Sequence, residues 1–176
     1  LALEVLIWSL YALGYNLLLG YGGLPSFGHG AFFGVGAYAA ALAFKHAGAG
    51  LVPGLLAGIA AAAVFGALVA CFISHRRGIY YALMTIAFGQ VFWFIAIKWH
   101  SVTGGEDGLL GIPAISFFGI PLNTGRSFFY LLWVIVVLAA LAVINLLDSR
   151  TGRALRAVKG GTTMAEAMGV NTFRIK

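Results

Sequence analysis

Acidic residues are almost missing from this chain: Asp and Glu together number 5 in 176 positions, and charged residues of every kind make up 9%. Soluble domains of this length carry roughly 25% charged residues. The chain therefore lacks the polar surface needed to face water on all sides, and lipid is the solvent for most of its length. Cysteine is reduced to Cys71, inside an apolar run. That excludes an internal disulfide and a thiolate cluster, and leaves a small apolar residue. A phosphate-binding loop ending in Gly-Lys-Ser or Gly-Lys-Thr is absent, which excludes a nucleotide site of that kind in this sequence. Between Leu51 and Ile97 the only Asp, Glu, Lys or Arg residues are Arg76 and Arg77. Ion-coupled pumps need buried ionisable relays, and this stretch supplies none.

What is present is apolar bulk, at 61% hydrophobic residues, and 25 glycines. A spanning helix needs about 20 apolar residues. The runs Leu1–Leu19, Leu51–Ile73, Ile79–Trp99 and Phe128–Leu147 meet that need. Ala31–Phe44 is too short alone and spans only if joined to part of the glycine-rich segment before it. The expected fold is all-α: a polytopic transmembrane helical bundle of about five hydrophobic segments, one interrupted by a Gly/Pro-rich break. The chain starts at Leu1 without an initiator Met and reads as an internal fragment, with residues 1–176 forming one transmembrane domain. No basic segment precedes the first run and no small-residue cleavage site follows it, so no signal peptide is assigned.

The net charge of +6 is distributed as in a membrane protein rather than a nucleic-acid binder. Arg76 and Arg77 fill a tight turn between two spans, and Arg150, Arg153, Arg156 and Lys159 follow the last span. Two crossings and the Lys98–Ser127 loop separate these groups, so both fit the cytoplasmic side. The outer loops then hold only Lys45, Lys98 and Arg126. His46, His75 and His100 fall at predicted membrane borders and read as interfacial residues.

Three segments stand out. The first, Gly20–Gly30, interrupts the apolar sequence with repeated glycine and Pro25. Irregular backbone at membrane depth survives only where protein or a water-filled cavity satisfies its polar groups, and transporters place such breaks beside the substrate path. Ser26, Gly28 and His29 are the path candidates there, with Ser26 also placed to cap the following helix; an ordinary cytoplasmic loop is the competing reading. Gly30 with Gly34, and Gly54 with Gly58, have the four-residue spacing that lets membrane helices approach closely. In the second, the outer-loop run Thr103–Pro113, Glu106 and Asp107 suit a turn or a partner contact; no convergent set of metal ligands accompanies them.

The third segment is the tail. Arg153, Arg156 and Lys159 are spaced by three and share one side of a helix. Gly160-Gly161 then breaks the run. Thr163 and Glu166 form a capping box, and Gly169 sits at a left-handed helix stop. The spacing predicts a short helix, Met164–Met168, that exposes both methionines and needs a partner surface.

Together these segments resemble the LivM-type permease subunits of branched-chain amino acid ABC importers. Gly20–Tyr38 (GYGGLPSFGHGAFFGVGAY), Arg77–Phe88 (RGIYYALMTIAF), Thr103–Pro113 (TGGEDGLLGIP) and Gly152–Lys176 (GRALRAVKGGTTMAEAMGVNTFRIK) are each similar to a motif of that family. In one departure, Gly160-Gly161-Thr162 stands where members often carry acidic residues; the core Ala165–Gly169 is kept. The resemblance implies a multi-pass bacterial inner-membrane permease. It implies a second permease subunit, often nonidentical, a periplasmic binding protein that delivers substrate, and two ATPase subunits that use ATP and Mg, with no cofactor in this chain. Residues 148–176 would be the ATPase-coupling loop, with Arg153, Arg156, Met164, Ala165, Glu166, Ala167, Met168 and Gly169 as contacts. Related permeases carry urea, short amides or other amino acids, so the substrate stays open. A channel or a structural membrane subunit is the reading from another class. A membrane-embedded enzyme would need a nucleophile–base pair or metal set that the scattered histidines do not supply.

Overall fold

The apolar runs become helices because lipid offers no partner for a bare backbone N–H or C=O, so each spanning segment must satisfy its own. A computed structural model describes residues 1–48, 50–73, 78–113, 116–117, 120–121 and 125–160. The elements in order are α1 (Ala2–Asn16), a π-helical turn (Leu17–Tyr21), α2 (His29–Ala47), α3 (Leu51–Ile73) and α4 (Ile79–Lys98). Then come α5 (His100–Thr103), a 3-10 turn (Gly105–Asp107), the two-residue strands β1 (Ser116–Phe117) and β2 (Ile120–Pro121), α6 (Gly125–Asp148) and α7 (Arg150–Gly160). The strands form one short antiparallel pair, Ser116 with Pro121 and Phe117 with Ile120.

Among the described residues, four helices are long and apolar enough to cross a membrane: α1 with its π turn, α3, α4 and α6. These are the four runs expected from sequence. The short run Ala31–Phe44 lies within a 19-residue helix, α2, which begins at His29 and takes in Lys45 and His46 at its far end. At about 1.5 Å per residue α2 is roughly 28 Å long, close to the hydrocarbon thickness. Lower apolar content, not its length, separates it from the other four.

The chain packs as two units. The first comprises Leu1–Ser26, Ile73–Ala82 and Phe129–Lys176. Here the π turn begins where Asn16 lies against Gly20, which has no side chain to obstruct it. Gly22 N–H bonds the Leu17 carbonyl, five residues back, at 3.1 Å. A π turn of this kind leaves the α-helical register and is found mostly as a single insertion. Ser149 joins α6 to α7: its hydroxyl donates to the Leu146 carbonyl at 2.5 Å and accepts from Gly152 N–H at 3.3 Å, capping α7. Gly152 packs against the Leu146 and Leu147 carbonyls, where a Cβ would collide. Chain reversal this tight brings the basic side of α7 back over the end of α6.

The second unit comprises Phe27–Phe72 and Leu83–Phe128. Its helices α2 and α3 meet at Gly36 and Gly58, where a Cβ on Gly58 would lie 2.8 Å from the Gly36 carbonyl oxygen. Close backbone approach takes the place of the hydrophobic drive that lipid removes. An aromatic chain continues the contact: Phe32 to Phe65 (5.4 Å between centroids), Phe65 to Phe92 (5.8 Å) and Phe92 to Tyr38 (6.5 Å). Such ring pairs add roughly 0.5–1.5 kcal/mol each beyond their buried area.

Candidate functional site

Within the second unit a groove of about 1000 Å³ runs along α4. Ile86, Gly89, Gln90, Trp93 and Ile97 line it, and their spacing of three and four puts them on one helix face. From Ile86 to Lys98 that face covers about 18 Å at 1.5 Å per residue. Phe27 and Gly28 line one end of the groove, and the other carries Lys98, Gly105 and Glu106. Tyr38 of α2 also reaches it. The lining is thus aromatic and aliphatic along its length, with an amide and a phenol midway and one charge of each sign at one end. Largely apolar clefts with a few placed polar groups are the usual form of small-molecule sites.

The first end is fixed by a close approach. Phe27 N–H donates to Thr85 Oγ1 at 3.1 Å. Gly28 rests so near the Thr85 carbonyl that a Cβ would collide with it. Gly89 Cβ, if present, would lie 3.3 Å from Gly28 Cα. Two glycines, 61 positions apart by number, therefore let the loop before α2 lie directly on α4.

The other end is built by the Thr-Gly-Gly-Glu sequence. Thr103 is buried, and its hydroxyl bonds the Ala96 carbonyl at 2.6 Å and the Trp99 carbonyl at 2.8 Å. It accepts from Gly105 N–H at 3.4 Å. One hydroxyl thereby ties the last turn of α4 to the start of the next turn. Gly104 and Gly105 have φ of +81° and +66°, a region that L side chains avoid, and a Cβ on Gly105 would strike the His100 ring. The chain doubles back over the end of α4 and leaves Glu106 exposed beside the groove.

Of the path candidates named from sequence, Gly28 lines the groove, whereas Ser26 and His29 are not among its lining residues. The expectation that Ser26 caps α2 is not met. Gly28 occupies the cap position with no side-chain hydrogen bond, and Ser26 is 1% exposed with its hydroxyl unpartnered among the described residues. The helix starts at His29, beyond the position that a Ser26 cap would set. The His29 ring lies tilted against Phe32, 6.0 Å between centroids. Among the glycines expected at packing faces, Gly34 abuts Phe92, Gly54 abuts the Phe44 ring and Gly58 abuts Gly36. Gly30 differs: nothing lies within 4 Å of where its Cβ would be, and it faces the groove.

The tail residues divide similarly. Arg153 Nη1 donates to the Asp148 carbonyl at 2.8 Å, and Arg156 Nη2 to the Leu147 carbonyl at 3.0 Å. Arg156 also sits 5.6 Å over the Tyr21 ring, and Lys159 Nζ donates to the Gly20 carbonyl at 2.5 Å. Cations at helix C-termini meet unpaired carbonyls and the negative end of the macrodipole. Helix α7 takes in Gly160, where a break was expected. Met164, Ala165, Glu166, Ala167, Met168 and Gly169 lie outside the described residues, as do Arg76 and Arg77.

Sequence reasoning left Tyr38, Gln90, Trp93 and Lys98 off the path and read Glu106 as a turn residue. One signal was available: Gln90 is the lone side-chain amide in the apolar run from Ile79 to Ile97.

The whole chain, residues 1–176, matches the family model described as "Branched-chain amino acid transport system / permease component". It is 30% identical over 200 aligned positions to the high-affinity branched-chain amino acid transport system permease protein LivM of Escherichia coli (strain K12), covering 100% of this chain and 47% of that protein. The LivM protein of Salmonella typhimurium (strain LT2) matches with the same identity and coverage. The chain thus spans about half the length of the curated relatives it matches. No solved structure matches it.

Proposed function

Because the chain belongs to the family of branched-chain amino acid transport permeases, we propose that it forms the membrane core of a permease subunit in an ATP-driven importer of the bacterial inner membrane. A periplasmic binding protein delivers branched-chain amino acids, the groove along α4 forms part of their path, and alternating access carries them inward. A second permease subunit faces this one, and two ATPase subunits use ATP and Mg in the cytoplasm. The whole-chain family match, together with a continuous groove on a spanning helix, carries the reading.

Sidedness follows from the basic residues and from parity. Helix α7 follows the last span directly and is rich in Arg and Lys, so it lies on the cytoplasmic side. Lys159 holds the Gly20 carbonyl, which puts the end of α1 on that side too. Between Gly20 and Arg150 the strongly apolar helices α3, α4 and α6 cross three times. Both ends being cytoplasmic requires an even count, so α2 makes the fourth crossing between them. Lys98 and Glu106 then mark the outer end of the groove, and Phe27 with Gly28 the inner end.

The segment Met164–Gly169 is the contact by which an ATPase subunit engages this chain. Arg153 and Arg156 serve coupling from behind it, by tying α7 to the end of α6 so that a push on the tail reaches the spans.

The test is uptake of labelled leucine into proteoliposomes holding the full-length subunit with its second permease and ATPase subunits. Uptake must need ATP and loaded binding protein together. Leucine flux without ATP would replace the importer with a channel, and uptake of urea but not leucine would move the substrate to the amide-type relatives. For topology, a cysteine placed at Ala167 in a Cys71→Ser background must resist impermeant reagents added outside intact cells. Labelling there would invert the arrangement.

A further inference from the structure

We infer that Lys98 and Glu106 form a zwitterion-selecting site at the outer mouth of the α4 groove, one charge for each end of an amino acid's backbone. The inference rests on the importer reading and adds to it which residues admit the substrate.

Both side chains line the same cavity, yet they are not bridged to each other. Among the described residues no ion pair involves either of them. Opposite charges that share a cavity without closing on one another can each meet a ligand group of the opposite sign. The backbone under Glu106 is held: the buried Thr103 hydroxyl fastens the turn to α4, and Gly104 and Gly105 adopt left-handed angles in a space that admits no side chain. A loop that served only to connect α4 with the following segment would need none of this. Lys98 is the last residue of α4, and Glu106 lies in the turn that Thr103 fastens to that helix.

Depth sorts the chemistry further. Inward from the charges, the lining turns to Trp93, Gln90 and Tyr38, with no ionisable carboxylate or amine. An α-amino acid entering head-out would meet Glu106 with its ammonium and Lys98 with its carboxylate, while an apolar side chain lay against Trp93. Charge-assisted hydrogen bonds contribute more than neutral ones, so a zwitterion gains from both residues. Urea or a short amide carries neither charge, so it can hydrogen-bond to both residues but forms an ion pair with neither. The mouth thus favours a dipolar, net-neutral solute with an apolar side chain.

The experiment uses the full transporter in proteoliposomes and reads two quantities, labelled leucine moved per ATP hydrolysed and the concentration of loaded binding protein that half-stimulates the ATPase. Glu106→Gln and Lys98→Gln should each lower leucine moved per ATP by roughly tenfold, the scale of one lost charge-assisted bond, with half-stimulation unchanged. The exchanged pair Lys98→Glu with Glu106→Lys should recover transport to within about threefold of the unaltered protein, since both signs are again present at the mouth. If half-stimulation weakens in step with uptake and leucine per ATP holds, the charges dock the binding protein and the inference is overturned. It is equally overturned if both neutral variants match the unaltered complex, or if the exchanged pair stays as low as the single variants. An unaltered complex that moves no leucine at all defeats the importer reading itself, and this one with it.

Discussion

In the first unit, Arg153, Arg156 and Lys159 all end on backbone carbonyls, at Asp148, Leu147 and Gly20. In the second, Lys98 and Glu106 stand at the mouth of a groove with no ion pair between them. Cohesion follows the reverse order. The first unit joins α7 to the ends of α6 and α1 through cations, whereas the second is closed by backbone contact at Gly28 and Gly58 and by a row of rings. A charge whose donors are already used on helix ends is part of the scaffold. A charge left open in a cavity is available to a solute. The two units thus separate the work of holding shape from the work of meeting a ligand, though both carry few charges.

The comparison can be broken most severely at Gly28. Gly28→Val drives a branched side chain into the Thr85 carbonyl and should cost about 3 kcal/mol or more, the upper range for overpacking against atoms that cannot retreat. Thermal unfolding of the detergent-solubilised subunit should fall sharply, while Gly30→Ala, two residues on and facing open space, should leave it within a degree or two. If both variants unfold alike, close approach is not what holds the second unit.

Thr103→Val comes next. It removes the hydroxyl that serves two carbonyls and one N–H, at about 1–3 kcal/mol for the buried groups left unpaired. It should also lower leucine uptake by loosening Glu106, so both the unfolding midpoint and transport should drop. A loss of stability with full uptake would detach Glu106 from the mouth. Arg156→Ala should cost about 1 kcal/mol through its carbonyl bond and its ring contact, and protease susceptibility of α7 should rise. Unchanged susceptibility would remove the cations from the scaffold. The smallest expected change is in Glu106→Gln, within about 0.5 kcal/mol as for an exposed substitution, despite its effect on transport. A clear drop in its unfolding midpoint would return Glu106 to the scaffold and erase the contrast between the units.

Much of this architecture is legible along the chain because span length is a local property. The runs Leu1–Leu19, Leu51–Ile73, Ile79–Trp99 and Phe128–Leu147 correspond to helices within a few residues at each end. Helix α2 was legible only in part: Ala31–Phe44 shows its apolar centre, but His29, Lys45 and His46 are polar, and their place in the helix depends on backbone bonds that composition does not report. The Gly20–Gly30 break was visible, yet its capping role was misplaced. A Ser before an apolar run looks like a cap, while the decisive fact is that Gly28 must lie flat on Thr85, 57 positions away by number. Gly30 and Gly34 share one spacing and differ in surroundings, since a repeat of four residues fixes a helix side but not what that side meets.

The sequence by itself determined that this is a helical membrane chain, where its spans run, and which segments break them, because lipid enforces apolar length and internally bonded backbone. Its motifs also carried the resemblance to branched-chain amino acid permeases. Only the tertiary structure decided which face of α4 opens into a groove and which glycines touch a neighbour. It alone turned Arg153, Arg156 and Lys159 onto helix ends and set Glu106 and Lys98 along one groove. Those outcomes depend on how helices are rotated and how loops fold back across distant positions, and spacing within one segment cannot specify a rotation relative to another.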